Sequence, residues 1–459
     1  MTRRTSFTLL LILVLCPAPA LAHAHLKRSE PAAGSKLASS PQVIRFWFSE
    51  QPELSMTAIS LTDAQGKEWV LTNAQRDPTN PLAVSTGISQ RLPPGRYTVA
   101  WRTAASDGHP SRGNFDFVVL TETALPTINP SVAVTHTTDS ENVNPGAAGN
   151  GESGEEADAA SSVGNSLART FSFVGLLALI GVAAFRTLVL PRATGIDAEL
   201  RERMEGRAAR LGLAASIAVI ISAFARLFLE SKMMSAMPGM TTMSMPDMAM
   251  HTRWGFALRL ELGAAFVALV AFVLAARPLH WAWQLAAASA IVLAVTPALA
   301  GHAAASPRFT SLLIATDFLH VLGGATWLGN LLSIMLIGVP VALTLDGPRR
   351  WEAVASLVNA FSPVALASAA TVGASGVVAS WVHLGHVGAL WQTAYGQVLL
   401  LKLTLVAITL TIGAYNFRRV QPQLVRQEGA ARLRQSAAIE LGFGLLILVV
   451  TGFLTGISP

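Results

Sequence analysis

The chain of 459 residues has little cysteine and little charge. Its one cysteine, Cys16, lies in the first apolar run, so a mature chain without that run has no disulfide, no thiolate metal ligand and no cysteine nucleophile. Any soft metal ligand must then be methionine. Charged residues make up 13% of the chain and hydrophobic residues 52%, which excludes an ordinary soluble protein and indicates a multi-spanning membrane protein. The net charge of +6 comes from basic residues scattered between apolar runs, which argues against a nucleic-acid partner.

Residues 1–22 have the pattern of a secretory signal peptide. Two arginines precede an apolar run over 7–15, and a small-x-small cleavage site ends at Ala22. Cleavage there makes His23 the N-terminal residue, where its α-amine and its imidazole can chelate one metal ion. Two nitrogens from one residue suit the tetragonal geometry of Cu(II), and His25 offers a third nitrogen.

Residues 23–120 alternate short β-type runs with turn residues. The runs cover 43–48, 57–61, 68–71, 96–101 and 114–119. This spacing predicts a small antiparallel β-sandwich or barrel. Asp107 and His109 then lie on the loop between the last two strands, where they either share a metal site or belong to a solvated Asp-Gly turn. Residues 121–165 are rich in small and polar residues and predict a flexible tether, in which His136 is solvated.

Residues 166–459 contain eight apolar runs long enough to cross a bilayer as helices. They cover 167–190, 211–229, 254–276, 281–300, 311–339, 357–381, 398–415 and 437–457. An exported N-terminal domain places the start of the first helix outside. The loops then predicted to be cytoplasmic carry most of the loop arginines, as the positive-inside bias requires. We therefore expect a multi-pass inner-membrane protein whose N-terminal domain and C-terminus both face the periplasm.

A methionine-rich loop, residues 230–253, follows the second apolar run. It holds Met233, Met234, Met237, Met240, Met243, Met245, Met248 and Met250 and ends near His251. Thioether sulfur is soft and uncharged, which suits Cu(I). Pro238, Gly239 and Pro246 are expected to break any helix here, so several sulfurs could converge without regular structure. An amphipathic surface segment is the competing interpretation.

Polar residues within or beside the apolar runs mark a second set of candidates, because burying them in lipid is costly. A candidate membrane pathway consists of His302, Asp317, His320, His383 and His386. Further buried charge is predicted at Arg259, Glu261, Lys402 and Glu440. For these four residues, ion pairing between helices and a role in function both remain open.

Motifs of the exported domain resemble the CopC family. They are His23-x-His25, then Ser29-x-Pro31-x-x-Gly34, Ser106-Asp107-Gly108-His109-Pro110, and Gly113-x-Phe115-x-Phe117. The resemblance implies an Ig-like, Greek-key β-sandwich with Cu(II) held by His23, Asp107 and His109, with His25 as a further ligand. Some CopC proteins carry a methionine-rich Cu(I) loop in this domain. Here Met56 is its one methionine, so no Cu(I) site is predicted within the domain.

The eight-helix region is similar to the CopD family. The matching residues are His320 with Trp327-Leu328-Gly329, then Tyr395-Gly396 with Lys402, and Asn416 before a basic loop. The whole chain thus resembles a fusion of CopC and CopD. That resemblance implies copper binding and transport, with import as the preferred direction, in bacterial copper homeostasis or resistance. The implied partners are copper ions, the lipid bilayer and periplasmic copper carriers.

Three classes of function compete. A copper transporter that is not an enzyme is preferred. The chain shows no nucleotide-binding loop and no Asp-Lys-Thr-Gly phosphorylation motif, which argues against an ATP-driven pump. Copper storage, sensing or delivery without transport is the alternative. A copper-dependent oxidative enzyme is a weaker alternative, because the exported domain is short and lacks an obvious aromatic platform for a substrate.

Overall fold

The computed structural model describes residues 26–104, 110–120, 152–235, 244–277, 279–306, 309–384, 386–424 and 427–456. The predicted signal peptide, His23, His25, Asp107, His109 and His136 lie outside these residues, as do Met237, Met240 and Met243.

The described part of the N-terminal domain consists of two β-sheets. Its strands are β1 (Leu26–Glu30), β2 (Lys36–Leu37), β3 (Val43–Phe48), β4 (Ala58–Asp63), β5 (Glu68–Trp69), β6 (Gln75–Arg76), β7 (Ala83–Gly87), β8 (Gly95–Ala104) and β9 (Pro110–Val119). One sheet has the order β1-β3-β7-β6 and the other β2-β9-β8-β4-β5. The strands pair antiparallel except β2 with β9, which run parallel. A β-sandwich is confirmed, with one parallel pair at its edge.

Aromatic side chains hold the two sheets together. On β3, alternate residues Ile44, Phe46 and Phe48 are buried, as the period of a strand dictates. The ring of Phe46 lies 6.1 Å from that of Phe115, and the ring of Phe48 lies 5.3 Å from that of Trp101. Each such side chain contributes about 1.5–3 kcal/mol through burial, so these contacts fix how one sheet lies on the other.

The described C-terminal part consists of helices joined by short turns. Its helices are α1 (Glu152–Ala184), α2 (Ala198–Ser235), α3 (Met245–His251), α4 (Arg253–Ala275), α5 (His280–Ala300), α6 (His302–Ala305), α7 (Thr310–Ser333), α8 (Val339–Ala342), α9 (Arg349–Leu384), α10 (Ala389–Gln392), α11 (Ala394–Tyr415) and α12 (Gln427–Leu454). Within the described residues, eight helical segments are long and apolar enough to cross a membrane, built on α1, α2, α4, α5, α7, α9, α11 and α12. The predicted number is confirmed. We call the end of the bundle beside α3 the methionine end and the opposite end the arginine end.

One boundary prediction is wrong. Residues 152–165 were expected to belong to a flexible tether, but α1 already begins at Glu152. The stretch is rich in glutamate and alanine, which are good helix formers, and it continues directly into the apolar run. A composition of small and polar residues therefore does not distinguish a tether from the first turns of a helix.

Three of the spanning helices widen into a π-helical turn at the arginine end. These turns are Phe185–Val189, Ile334–Gly338 and Asn416–Val420, and each lies just before a proline. Proline lacks an N–H group, and its ring clashes with a carbonyl one turn earlier, so the helix must rearrange locally there. The third of these turns places Asn416 in the bundle, where it contacts another predicted residue, Glu440.

Candidate functional site

The strand ends that flank the predicted Cu(II) ligands lie together at one end of the sandwich. β1 starts at Leu26, which pairs with Phe48 on β3. The ring of Phe48 contacts that of Trp101 near the end of β8. β8 ends at Ala104, which pairs with Pro110, the first residue of β9. The loop between β8 and β9 and the segment before β1 therefore both leave the sandwich at this end, which we call the loop end.

Polar residues at the loop end are unusually well buried. Arg102 is 5% exposed and Thr103 is fully buried, and the Thr103 hydroxyl lies 2.7 Å from that of Thr57. Burial lowers the pKa of the Arg102 guanidinium, because a cation removed from water loses solvation. The strands are thus anchored up to the last residue before the loop.

The methionine-rich loop, residues 230–253, which we now call the methionine segment, contains more regular structure than its sequence indicates. α2 runs to Ser235 and so includes the backbone of Met233 and Met234, and α3 begins after Ser244. The Ser244 hydroxyl accepts a hydrogen bond from the Asp247 backbone N–H and caps α3. Pro246 does not break this helix. It lies in the first turn, where no N–H is needed, so the prediction for Pro246 is corrected.

The methionines of α3 face different surroundings. Met248 is fully buried, whereas Met250 is 60% exposed. The Met250 sulfur lies 3.6 Å from the Arg259 guanidinium, which also donates to the Ala249 carbonyl. His251 is exposed, with its Nδ1 3.8 Å from an Asp247 oxygen. On this helix, Met248 therefore serves in packing, whereas Met250 and His251 are accessible.

The loop end of the sandwich packs against this methionine segment. Met56 and Ala104 of the β-domain belong to one buried apolar cluster with Met248, Trp254 and Leu258 of the membrane domain. Met56 is 2% exposed and Ala104 fully buried. The contact brings the end of β8 beside α3 and the start of α4.

Buried ion pairs lie between the helices at the methionine end. Glu261 on α4 accepts hydrogen bonds from Arg226 on α2 and from the Ser172 hydroxyl on α1, the latter at 3.0 Å. Arg169 on α1 lies 3.5 Å from Glu230 on α2. For Glu261 the structure confirms the ion-pairing interpretation, and its partner is Arg226 on another helix.

Part of the predicted membrane pathway forms a polar cluster between α7, α9 and α11. The His320 ring nitrogen Nδ1 lies 3.1 Å from the hydroxyl of Ser375. Lys402 interacts electrostatically with both His320 and Asp317, and Tyr395 interacts with Asp317. We call these five residues the polar cluster. Sequence reasoning missed Ser375, because one serine in an apolar helix carries no signal of its partner.

The remaining pathway histidines are placed differently. The ring centroids of His383 and Tyr395 lie 6.3 Å apart, so His383 borders the polar cluster. His386 accepts a hydrogen bond from the Ala389 backbone N–H at 3.2 Å, at the start of the short helix α10. The backbone of His302 begins α6, and its side chain lies outside the described residues.

The electrostatics of the polar cluster do not favour a metal ion in its present arrangement. In the part of the chain that the structure describes, no three His, Cys, Asp or Glu side chains come together as a metal site. Lys402 interacts electrostatically with Asp317, the carboxyl group of the cluster. A copper ion entering here would compete with Lys402 for Asp317.

Comparison with protein families covers most of the chain. Residues 26–120 match the CopC domain, residues 159–307 match the N-terminal domain of proteins like copper resistance protein D, and residues 355–454 match copper resistance protein D itself. Copper resistance protein C of Escherichia coli is 32% identical over 110 residues, and the match covers 21% of this chain and 81% of that protein. The chain belongs to the CopC–CopD family.

A relative with the same two-part organisation supports this assignment. Copper transport protein CutJ of Bacillus subtilis is 25% identical over 464 residues, covering 98% of this chain and 77% of that protein. Among solved structures, CopC from Methylosinus trichosporium OB3b matches 21% of this chain and 94% of its own, with 29% identity and a TM-score of 0.20.

These matches establish a copper-related function for a multi-pass membrane protein. The matched families and CutJ bear the names of copper resistance and transport proteins, not of enzymes. Copper ions are thus the ligand, and the bilayer surrounds the eight apolar helices.

Proposed function

We propose that this CopC–CopD protein takes up copper across the bacterial inner membrane. Its exported β-domain holds Cu(II) through the α-amine and imidazole of His23 together with Asp107 and His109, with His25 as a further ligand. The methionine segment then receives Cu(I), and the bundle conducts copper to the cytoplasm. A one-electron donor outside this chain reduces the ion between the two sites.

The packing of the loop end against the methionine segment is the observation that carries this proposal. The proposed Cu(II) ligands are within three residues of Leu26, Ala104 or Pro110 in the sequence. A fully extended chain covers at most about 3.6 Å per residue, so their Cα atoms stay within about 11 Å of the described strand ends. Ala104 packs in one cluster with Met248, which supports a short transfer path between the two proposed copper sites.

The arrangement of charge supports an exported β-domain. Arg192, Arg349, Arg418 and Arg419 lie at the arginine end, which the positive-inside bias assigns to the cytoplasm. The methionine end, with the β-domain and the C-terminal residues of α12, then faces the periplasm.

The Cu(II) chelate is tested by adding one alanine in front of His23. The extension removes the α-amine from the chelate, so we expect weaker Cu(II) binding and altered EPR parameters. His136→Ala is the matched control, because His136 is expected to be solvated. This substitution should change neither the Cu(II) affinity nor the EPR parameters. Unchanged affinity and spectra in the extended protein would refute the chelate.

Transport is tested with purified protein in liposomes and radioactive copper. We expect uptake of Cu(I) into vesicles above that of protein-free liposomes. Absence of protein-dependent flux with both Cu(I) and Cu(II) would refute transport and leave storage, sensing or delivery as the function.

A further inference from the structure

The buried charges of the bundle are neutralised in different ways. Glu261 has Arg226 as a cationic partner, and Lys402 has Asp317 as an anionic one. Glu440, on α12, is 3% exposed and has neutral groups around it. It is therefore the buried carboxyl group that ion pairing does not explain within the described part of the bundle.

Two neutral donors from two other helical segments hold Glu440. The Trp327 indole N–H on α7 donates to Oε1 at 3.2 Å, and the Asn416 amide nitrogen donates to Oε2 at 3.1 Å. An added Cβ at Gly413 would lie only 3.6 Å from Oε1, so α11 also closes over the carboxyl group. The Asn416 amide oxygen is buried beside it without a hydrogen-bond partner. The pocket thus has spare acceptor capacity and no described cation.

Charged groups on the elements packed against α12 are engaged with other partners or exposed. On α1, Arg169 pairs with Glu230 and Arg186 with Glu205, and on α9, Arg349 pairs with Asp197 and Arg350 lies over the Trp351 ring. In the polar cluster, Lys402 interacts with both Asp317 and His320, and His383 borders the cluster beside Tyr395. Glu352, Tyr415, Arg418, Arg419, Arg432 and Arg434 are exposed. The electrostatic environment of Glu440 is therefore set by its burial and by the hydrogen bonds from its two neutral donors.

An ionised carboxylate without a counter-charge is costly at this depth. Glu440 lies about 2.5 helical turns into the membrane-spanning part of α12, which begins at Ala431. Two neutral hydrogen bonds compensate only part of the desolvation of an anion. Such a group lowers its free energy by binding a proton, or by holding a cation in place of one.

We propose that Glu440 is a proton-binding site that exchanges its proton for the copper ion during passage through the bundle. The carboxylate gains one H⁺ when copper is absent, and it releases that H⁺ when a copper cation passes the pocket. No electron moves in this step. The proton-binding part stands on the pocket itself, and the exchange part rests on the proposed transport function.

Infrared difference spectroscopy of the full-length protein in lipid tests the proton-binding part directly. At neutral pH, the wild type should show the carbonyl stretch of a protonated carboxyl group, and Glu440→Gln should lose it. Glu261→Gln is the matched control, because Glu261 is equally buried but paired with Arg226, and it should leave the band intact. Identical spectra of the wild type and Glu440→Gln would overturn the proposal.

Trp327→Phe provides a second readout if Glu440→Gln does not assemble. It removes the donor to Oε1 and keeps an aromatic, apolar side chain, so the carboxyl band should shift without disappearing. A band that neither shifts nor weakens would place the protonated group elsewhere and refute Glu440.

The exchange step is tested in liposomes with a pH-sensitive dye. Wild-type protein should release protons as Cu(I) is taken up, and Glu440→Gln should lose this release. Copper uptake with undiminished proton release in Glu440→Gln would refute the exchange. An absence of copper uptake in the wild type would refute the transport proposal instead, and the infrared result would still stand.

Discussion

The close contact between α1 and α7 leaves no room for a side chain at Gly329. An alanine Cβ at Gly329 would lie 2.2 Å from the Leu177 carbonyl oxygen and 2.7 Å from the Cα of Gly181. Both atoms belong to backbone, which cannot rotate away as a side chain does. The two helices must therefore separate by about 1 Å to restore ordinary contact distances.

We expect Gly329→Ala to destabilise the membrane domain by about 1–3 kcal/mol, the usual cost of overpacking a tight interior. The same displacement moves α7, which carries Trp327. Its hydrogen bond to Glu440 is 3.2 Å long, so a shift of about 1 Å would break it. The substitution should therefore lower the melting temperature in detergent and also shift the infrared band of Glu440.

Gly373→Ala on α9 is the matched control. An added Cβ there meets nothing within 4 Å, so alanine should be neutral or stabilise the helix by up to about 1 kcal/mol. Thermal unfolding of the full-length protein in one detergent compares the two variants. Equal melting temperatures for Gly329→Ala and Gly373→Ala would show that the helices do not approach as closely as described.

Three further substitutions test the packing of the copper-handling parts. Gly113→Ala places a Cβ 2.8 Å from an indole carbon, so it should destabilise the β-domain by about 1–3 kcal/mol, measured by thermal unfolding; no change would refute this close contact. Met248→Ala should cost about 2–5 kcal/mol, whereas Met250→Ala should change stability little and weaken Ag(I) binding measured by calorimetry; equal melting temperatures would contradict their different burial. Glu261→Gln should cost about 3–5 kcal/mol in detergent unfolding, because it leaves Arg226 buried and unpaired, and a loss below 1 kcal/mol would contradict this pair.

Local sequence patterns predicted the architecture well where one residue class dominates. Each apolar run became a spanning helix, although α2 begins at Ala198 and not near residue 211, because its charged first turns are also good helix formers. The strand β7 was missed, since its sequence Ala-Val-Ser-Thr-Gly has only one large apolar residue. Its pairing with β3 and burial of Val84 decide its conformation.

The chemistry of individual side chains was less predictable, because it depends on contacts distant in sequence. His320 and Ser375 are 55 residues apart, and nothing in either helix indicates their hydrogen bond. Met248 and Met250 look equivalent in sequence, yet only Met248 packs into the contact with the β-domain. Sequence could identify a soft metal-binding segment but not which of its sulfurs are accessible.

The distribution of compensating charge indicates which group can change its charge during the proposed transport. Glu261 lies beside the arginine Arg226, and Asp317 interacts electrostatically with Lys402, so each of these carboxyl groups has a basic partner. Glu440 has neutral donors, so a proton or a passing cation can each neutralise it. Exchanging one Cu(I) for one H⁺ moves no net charge, whereas a lone cation gains about 2.3 kcal/mol per 100 mV of membrane potential. Uptake by the wild type should then follow the pH gradient, and a Glu440→Gln protein that still conducts should follow the membrane potential.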